Sequence, residues 1–281
     1  MSFRVSFVAA SLLLLAIGAG SGEEGPLAAH LLADARCGRL ANHDLISACL
    51  IAGGLSASEL AARQAAIDAA LDQAIAALDE PSGLQHRAQQ LHSALHQHLL
   101  KGSYDRQASD LSRTFATGDY NCLTATALYV ELCNRAGVSC HVFAQPGHVF
   151  CVVGSPAIRV EPASRQSPSA SIVASAPQSR QITPIQLAAR FAYNRGVQSL
   201  ERRQFEIGIN SLRLACQLDP DDSDARANLL AGLNNWAVSL AEEQPAAAAA
   251  LIARGLAIDP HYTPLVANER YVAERLGAAR Q

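Results

Sequence analysis

The chain has 281 residues, is 49% hydrophobic and 17% charged, and carries a formal net charge of −3. That balance predicts a helix-rich globular protein of one large or two modest domains and excludes a largely disordered one. Without a basic excess there is no electrostatic footprint for nucleic acid, so no nucleic-acid partner is expected.

The N-terminus opens with Arg4, then an apolar run from Val5 to Ala19, then small residues before Glu23. This is the pattern of a secretory signal, and the run is short for a membrane span. Residues 1–22 are therefore expected to be removed on export, with the membrane met only in transit. The alternative is an uncleaved N-terminal helix that anchors the chain. The seven cysteines, Cys37, Cys49, Cys122, Cys133, Cys140, Cys151 and Cys216, are odd in number. In an oxidising compartment at least one thiol is then left over. Cys37 with Cys49 is a local pairing option, while Cys133, Cys140, Cys151 and Cys216 equally suit buried apolar positions.

Residues 26–112 read as successive helices. Ser56 and Glu59 have the spacing of a capping box, and Leu60, Ile67, Leu71, Ile75 and Leu78 recur at helical intervals up to Pro81–Gly83. A second helix starts near Leu84, stops near Gly102 and carries His86, His92, His96 and His98. The i,i+4 pair His92/His96 could hold a metal, but no HExxH or acidic ligand pattern accompanies it, so a polar face is expected and no metal is assigned.

A helix then runs from Asn121 to about Arg135 and closes at Ala136–Gly137. Beyond it the period changes to short β-favouring runs, Val138–Phe143, His148–Val153 and Ile158–Glu161, split by AQPG and GSPA turns. Helices feeding an antiparallel meander make an α+β pattern. Residues 164–183, rich in Ser, Ala, Gln and Pro, read as a linker.

The remainder repeats itself. Two helical segments end on Leu-Asp-Pro at Pro220 and Ile-Asp-Pro at Pro260, forty residues apart, with breaks at Arg203–Gln204 and Gln244–Pro245. Gly196, Phe205, Gly208, Leu212, Ala215 and Pro220 fall where a tetratricopeptide repeat keeps its small, aromatic and proline positions. The spacing exceeds that repeat's usual ~34 residues, which predicts an extended turn in the second copy. Stacked helix pairs offer a concave surface suited to a protein partner.

Chemistry gathers at one helix start. The first turn of a helix has unpaired N–H groups and partial positive charge. A thiolate at Cys122 is favoured there, and the same N–H groups can receive the oxyanion formed when it attacks a carbonyl. Cys133, three turns on, suits an apolar face. A base oriented by a third group is also required. His148 follows a tight turn and alternates onto one strand face with Phe150 and Val152. If that face packs on the cysteine helix, the imidazole lies near Cys122. Glu161, ending the next strand, can accept from the other ring nitrogen. His141, in a matching HVF triplet, is the alternative base but lacks the turn glycine and the following carboxylate.

TGDYNCLTATALYVELCNRAGV with PGHVFCVV and RVEPAS resembles the transglutaminase-like superfamily of papain-like fold, over about residues 84–163. The resemblance implies a Cys122–His148–Glu161 triad for hydrolysis or acyl transfer at amides of a protein or peptide, with no cofactor. Tyr120 and Asn121 beside the cysteine and Gly147 beside the histidine are the supporting positions, Tyr120 standing for the aromatic that assists the oxyanion in some relatives. Glu161 departs from the aspartate of many relatives. The expected architecture is thus α+β: a transglutaminase-like domain over 26–163, a linker over 164–183, and an all-α tetratricopeptide-like module over 184–281. The rival is a catalytically silent core whose repeat surface binds a partner; a rigid envelope protein with every thiol paired is a third reading.

Overall fold

The computed structural model of the chain describes residues 26–155, 157–168 and 179–278. The apolar N-terminal run expected to be a signal or anchor lies outside the described residues, as does the middle of the expected linker. Among the described residues no helix is long and apolar enough to cross a membrane.

The architecture is α+β: an N-terminal helical region, a four-stranded antiparallel sheet and a C-terminal all-helical, repeat-like module. The N-terminal helices are α1 (Pro26–Cys37), α2 (Leu45–Ala52), α3 (Ala57–Ala76), α4 (Leu84–Ala94), α5 (Leu111–Thr117) and α6 (Cys122–Arg135). Every residue of α2 is buried, as expected of a helix that is apolar all round and sits at a centre. Ser56 does start α3, but its hydroxyl bonds the Glu59 carboxylate instead of the backbone, so the expected reciprocal box is not formed. Both residues are open to water, which satisfies the backbone N–H groups at little cost. α4 continues into a π-turn over Leu95–Leu99.

β1 (Cys140–Gln145), β2 (His148–Val153) and β3 (Ile158–Val160) form the expected meander, and β4 (Arg180–Ile182) adds to the free edge of β1 in the order β3-β2-β1-β4. Composition reads β4 as linker. Instead it pairs Val142 with Ile182 and buries Ile182, closing an apolar edge. Pro146 and Gly147 make the two-residue loop between β1 and β2, with Gly147 at φ 70°, the left-handed value required after a proline in a type II turn.

The module contains α7 (Pro184–Glu201), α8 (Phe205–Leu218), α9 (Ser223–Leu240), α10 (Pro245–Ile258) and α11 (Thr263–Ala278). Its forty-residue period is not carried by an extended second turn. Ala241–Gln244 is only one residue longer than Arg202–Gln204, and the extra length lies in the 18-residue helices α7 and α9. A Cβ on Gly208 would stand 2.6 Å from Leu200 and 3.1 Å from the Gly196 carbonyl, so glycine is what lets α7 and α8 cross closely.

No layer of solvent separates this module from the rest. Ile185, Leu187, Ala188 and Phe191 of α7 share one apolar core with α2, α6 and the sheet, while a second core fills the repeats. The buried Asp219 carboxylate reinforces the join, accepting from Arg180 of β4 at 2.7 Å and Gln186 of α7 at 3.0 Å. Asp219→Ala is expected to lower unfolding free energy by about 1–3 kcal/mol. A chemical-denaturation midpoint checks this, and an unchanged midpoint would show that the join depends on apolar contacts alone.

Candidate active site

Three segments bring Cys122 to a defined height. Gly118 ends α5 at φ 80°, and its carbonyl accepts from the Gly102 N–H at 2.9 Å. Tyr104 and Tyr120 then form a parallel bridge, with Tyr120 N–H to Ser103 O at 3.1 Å and Asp105 N–H to Tyr120 O at 2.9 Å. The next residue, Asn121, caps α6. Its Oδ1 accepts from Leu123 N–H at 2.9 Å and Thr124 N–H at 3.0 Å, Thr124 Oγ1 accepts from Asn121 N–H at 3.1 Å, and Nδ2 donates to Arg106 O at 3.2 Å. Cys122 is the first residue of the helix and is half-buried.

The cap narrows the expected oxyanion site. Leu123 and Thr124 have given their N–H groups to the Asn121 side chain, and the Asn121 backbone N–H is bonded to Thr124 Oγ1. The Cys122 N–H is the remaining donor of this turn. Tyr120 is buried, its ring held edge-on between His96 at 5.7 Å and Tyr104 at 6.1 Å. Tyr104, which the sequence reading passed over, is 52% exposed. Burial, and after it the charge of nearby Cys122, raises its phenol pKa, which keeps the hydroxyl protonated and able to donate.

His148 begins β2 directly after the turn. Its face of the sheet, the one expected to pack on α6, does not do so. Val142, Ala144, Val149, Cys151 and Val153 join the core with α6, whereas Phe150 stacks on Phe143 at 5.7 Å and beneath Arg159 at 3.7 Å on the other side. His148 reaches the cysteine nevertheless because it stands at the strand's end, beyond the last core-facing neighbour. Its Nε2 lies 2.8 Å from Glu161 Oε2. A hydrogen bond with the Cys122 side chain, and then that with Glu161, raise the ring's pKa to about 9 against the opposing effect of burial. Glu161 is itself below the usual carboxylate value: burial would raise it, but bonds from His148 and from Arg159, whose Nε and Nη2 lie 2.9 and 2.6 Å from Oε1, more than offset that.

A histidine whose folded pKa is raised contributes stability that is complete below the ordinary value of 6.5 and disappears as pH rises through about 9. The thermal midpoint is therefore expected to fall between pH 6.5 and 9 more steeply in the wild type than in His148→Gln. Parallel curves would show that the ion pair does not support the fold.

The other cysteines and histidines stand apart. All seven cysteines are free thiols, so Cys37 and Cys49 are not joined. Cys133, Cys140 and Cys151 cluster between α6 and the sheet, where burial and mutual hydrogen bonds raise Cys133 and Cys151, and the bonds from those two lower Cys140. His141 is exposed, opposes Val152 at the far end of the hairpin and meets Gln181 at 3.2 Å. The expected polar face of this helix is solvated in part: His86 is exposed, while His92 is 3% exposed, and His92 and His96 direct their Nε2 atoms at the carbonyls of Ser164 and Pro162. Among the described residues no group of three or more His, Cys, Asp or Glu is arranged to hold a metal ion.

No family model matches the chain, and neither the curated proteins nor the solved structures include one similar to it.

Proposed function

We propose that the protein forms a thioester at Cys122 and thereby hydrolyses, or transfers to an amine, the acyl group of an amide in a protein or peptide. The observation that carries this reading is the 2.8 Å contact between His148 Nε2 and the Glu161 carboxylate, in a chain that also presents Cys122 at the capped start of α6. A helix that presents a thiol at its start, packed on an antiparallel sheet that presents the base, has the layout of the papain-type, transglutaminase-like resemblance. The paired helices of the C-terminal module are in keeping with tetratricopeptide-type repeats, and the apolar N-terminus with an exported enzyme.

In this reading the Cys122 sulfur attacks the amide carbonyl carbon, forming the C–S bond while the carbonyl oxygen takes the negative charge. That oxyanion meets the Cys122 N–H, with the Tyr104 hydroxyl as second donor. His148, as imidazolium, gives its Nδ1 proton to the departing amine nitrogen and the C–N bond breaks. Water or a second amine then attacks the thioester, His148 accepts its proton, and the C–S bond breaks to regenerate the thiolate. Glu161 stays ionised throughout, holding the Nε2–H and the ring's orientation, and Arg159 keeps it so.

The test uses p-nitrophenyl acetate on the full-length exported chain. The expected result is p-nitrophenol release with one acetyl group on the Cys122 peptide, discharged by added alkylamine as the acetamide. Cys122→Ser should abolish the burst. Acetylation that survives Cys122→Ser, or none at all in a folded protein, would remove the hydrolase and transferase readings together and favour a silent scaffold.

A further inference from the structure

Glu161 lies one residue beyond β3, whose pairing with β2 ends at Val160, so no ladder bond holds the residue on which the ring's orientation depends. The chain after it is turned by a Ser164 N–H to Glu161 O bond at 2.9 Å, tied by Arg165 Nη2 to Gly102 O at 3.1 Å, and met by a row of side chains along α4 and its π-turn. Gln85 and Gln89 each donate Nε2–H to Pro168 O, at 2.7 and 3.1 Å. His92 Nε2 is 2.8 Å from Ser164 O, and His96 Nε2 is 3.0 Å from Pro162 O. The positions i, i+4, i+7 and i+11 share one helical face.

We propose that Gln85, Gln89, His92 and His96 form a rail of hydrogen-bond donors that fixes the segment after Glu161, making His92 and His96 positioning residues that hold the carboxylate on His148. This inference rests on the Cys122–His148–Glu161 reading.

Three features favour positioning over simple loop attachment. A carbonyl only accepts, so both rings are bound as Nε2–H tautomers. Burial depresses the pKa of both, with His96 adding to the effect on His92 and Arg165 to that on His96, so they donate without carrying charge near neutrality. A lysine or arginine in their place would compete with His148 for Glu161; neutral imidazoles do not. Second, the two rings pack at 4.8 Å, and His96 also meets Tyr120 at 5.7 Å, two residues before the nucleophile. One side chain thus touches the segment bearing the acid and the segment bearing the thiol. Third, His96 lies in the π-turn Leu95–Leu99, an irregularity that costs regular helix bonding and is frequent at functional sites.

The experiment follows the His148 titration midpoint by NMR, assigned through His148→Gln, together with the rate of Cys122 alkylation by iodoacetamide at pH 6. Both are read in the full chain for Glu161→Gln, His96→Ala, His96→Gln and Leu265→Ala. Glu161→Gln should move the midpoint from about 9 toward 6.5. His96→Ala should move it the same way and slow alkylation roughly ten- to a hundred-fold, the range expected when a reacting group is displaced by about 1 Å. His96→Gln restores both, since its amide can donate to the same carbonyl. Leu265→Ala, in the repeat core, should lower stability and leave both readouts alone. A wild-type midpoint and rate in His96→Ala, beside a shifted Glu161→Gln, would overturn the rail while sparing the triad. A Glu161→Gln indistinguishable from wild type would overturn the triad and the rail with it. Should His96→Ala not fold, the double variant Gln85→Ala/Gln89→Ala tests the far end: a midpoint lowered in the same direction supports the rail, and an unchanged one overturns it.

Discussion

Iodoacetamide at pH 6 is expected to alkylate Cys122 ahead of the other six cysteines, and His148→Ala to remove that advantage. An ordinary thiol is ionised to only about 0.3% at pH 6. A thiolate held by an imidazolium is already formed there, although its lower basicity makes it a weaker nucleophile per ion, so a net gain on the order of ten- to a hundred-fold is expected. Cys37 is exposed and serves as the accessible-thiol control within the same molecule, while Cys49, Cys133 and Cys151 are buried and should react only on unfolding. Peptide mapping after partial labelling reads all of these at once. Equal labelling of Cys37 and Cys122, unaffected by His148→Ala, would mean that the imidazole does not hold the thiolate and that the site has no activated nucleophile.

The local parts of this site were legible in the residues because each has a local cause. Asn121 followed by an apolar helical period marks the start of α6, since an Asn oxygen can take the N–H groups two and three residues on. Pro146–Gly147 marks the hairpin, since proline presets one dihedral and glycine alone relaxes at the next. Glu161 is legible as the carboxylate that ends the strand following the His148 strand. The non-local parts were not legible. Nothing in KGSY announces that it will run beside GDYN, so neither the exposure of Tyr104 nor the burial of Tyr120 is legible there. Alternation shows that His148 and Phe150 share a face, but not whether α6 covers that face or the other. The side of the hairpin that carries Val149, Cys151 and Val153 wins the helix because it is apolar without interruption. Composition read 164–183 as a linker because Ser, Gln and Pro disfavour regular structure, yet Ile182 alone is enough to secure an edge strand when a core position awaits it. The histidines of α4 looked like a solvated face, because the carbonyls that bury them lie some seventy residues further along the chain.

Asn121 provides the second large effect, and one that separates stability from reactivity. Its side chain makes three bonds at a site 4% exposed: two accepted from the helix and one donated to Arg106 O. Asn121→Ala loses all of them. Loss of a cap costs about 0.5–2 kcal/mol, and Arg106 is an exposed residue whose carbonyl can turn to water, so roughly 1–2 kcal/mol is expected from the denaturation midpoint. Asn121→Asp keeps the cap oxygen, so the helix start survives and part of that loss is recovered. It also sets a carboxylate one residue from the sulfur in a half-buried setting, where a like charge disfavours the thiolate. The less destabilised variant is therefore expected to be the less reactive, with Cys122 alkylation at pH 6 slowed on the order of tenfold relative to Asn121→Ala. Were alkylation instead to follow stability, Asp faster than Ala, the helix start would be acting on Cys122 only by shape, and the charge at this turn would have no part in forming the nucleophile.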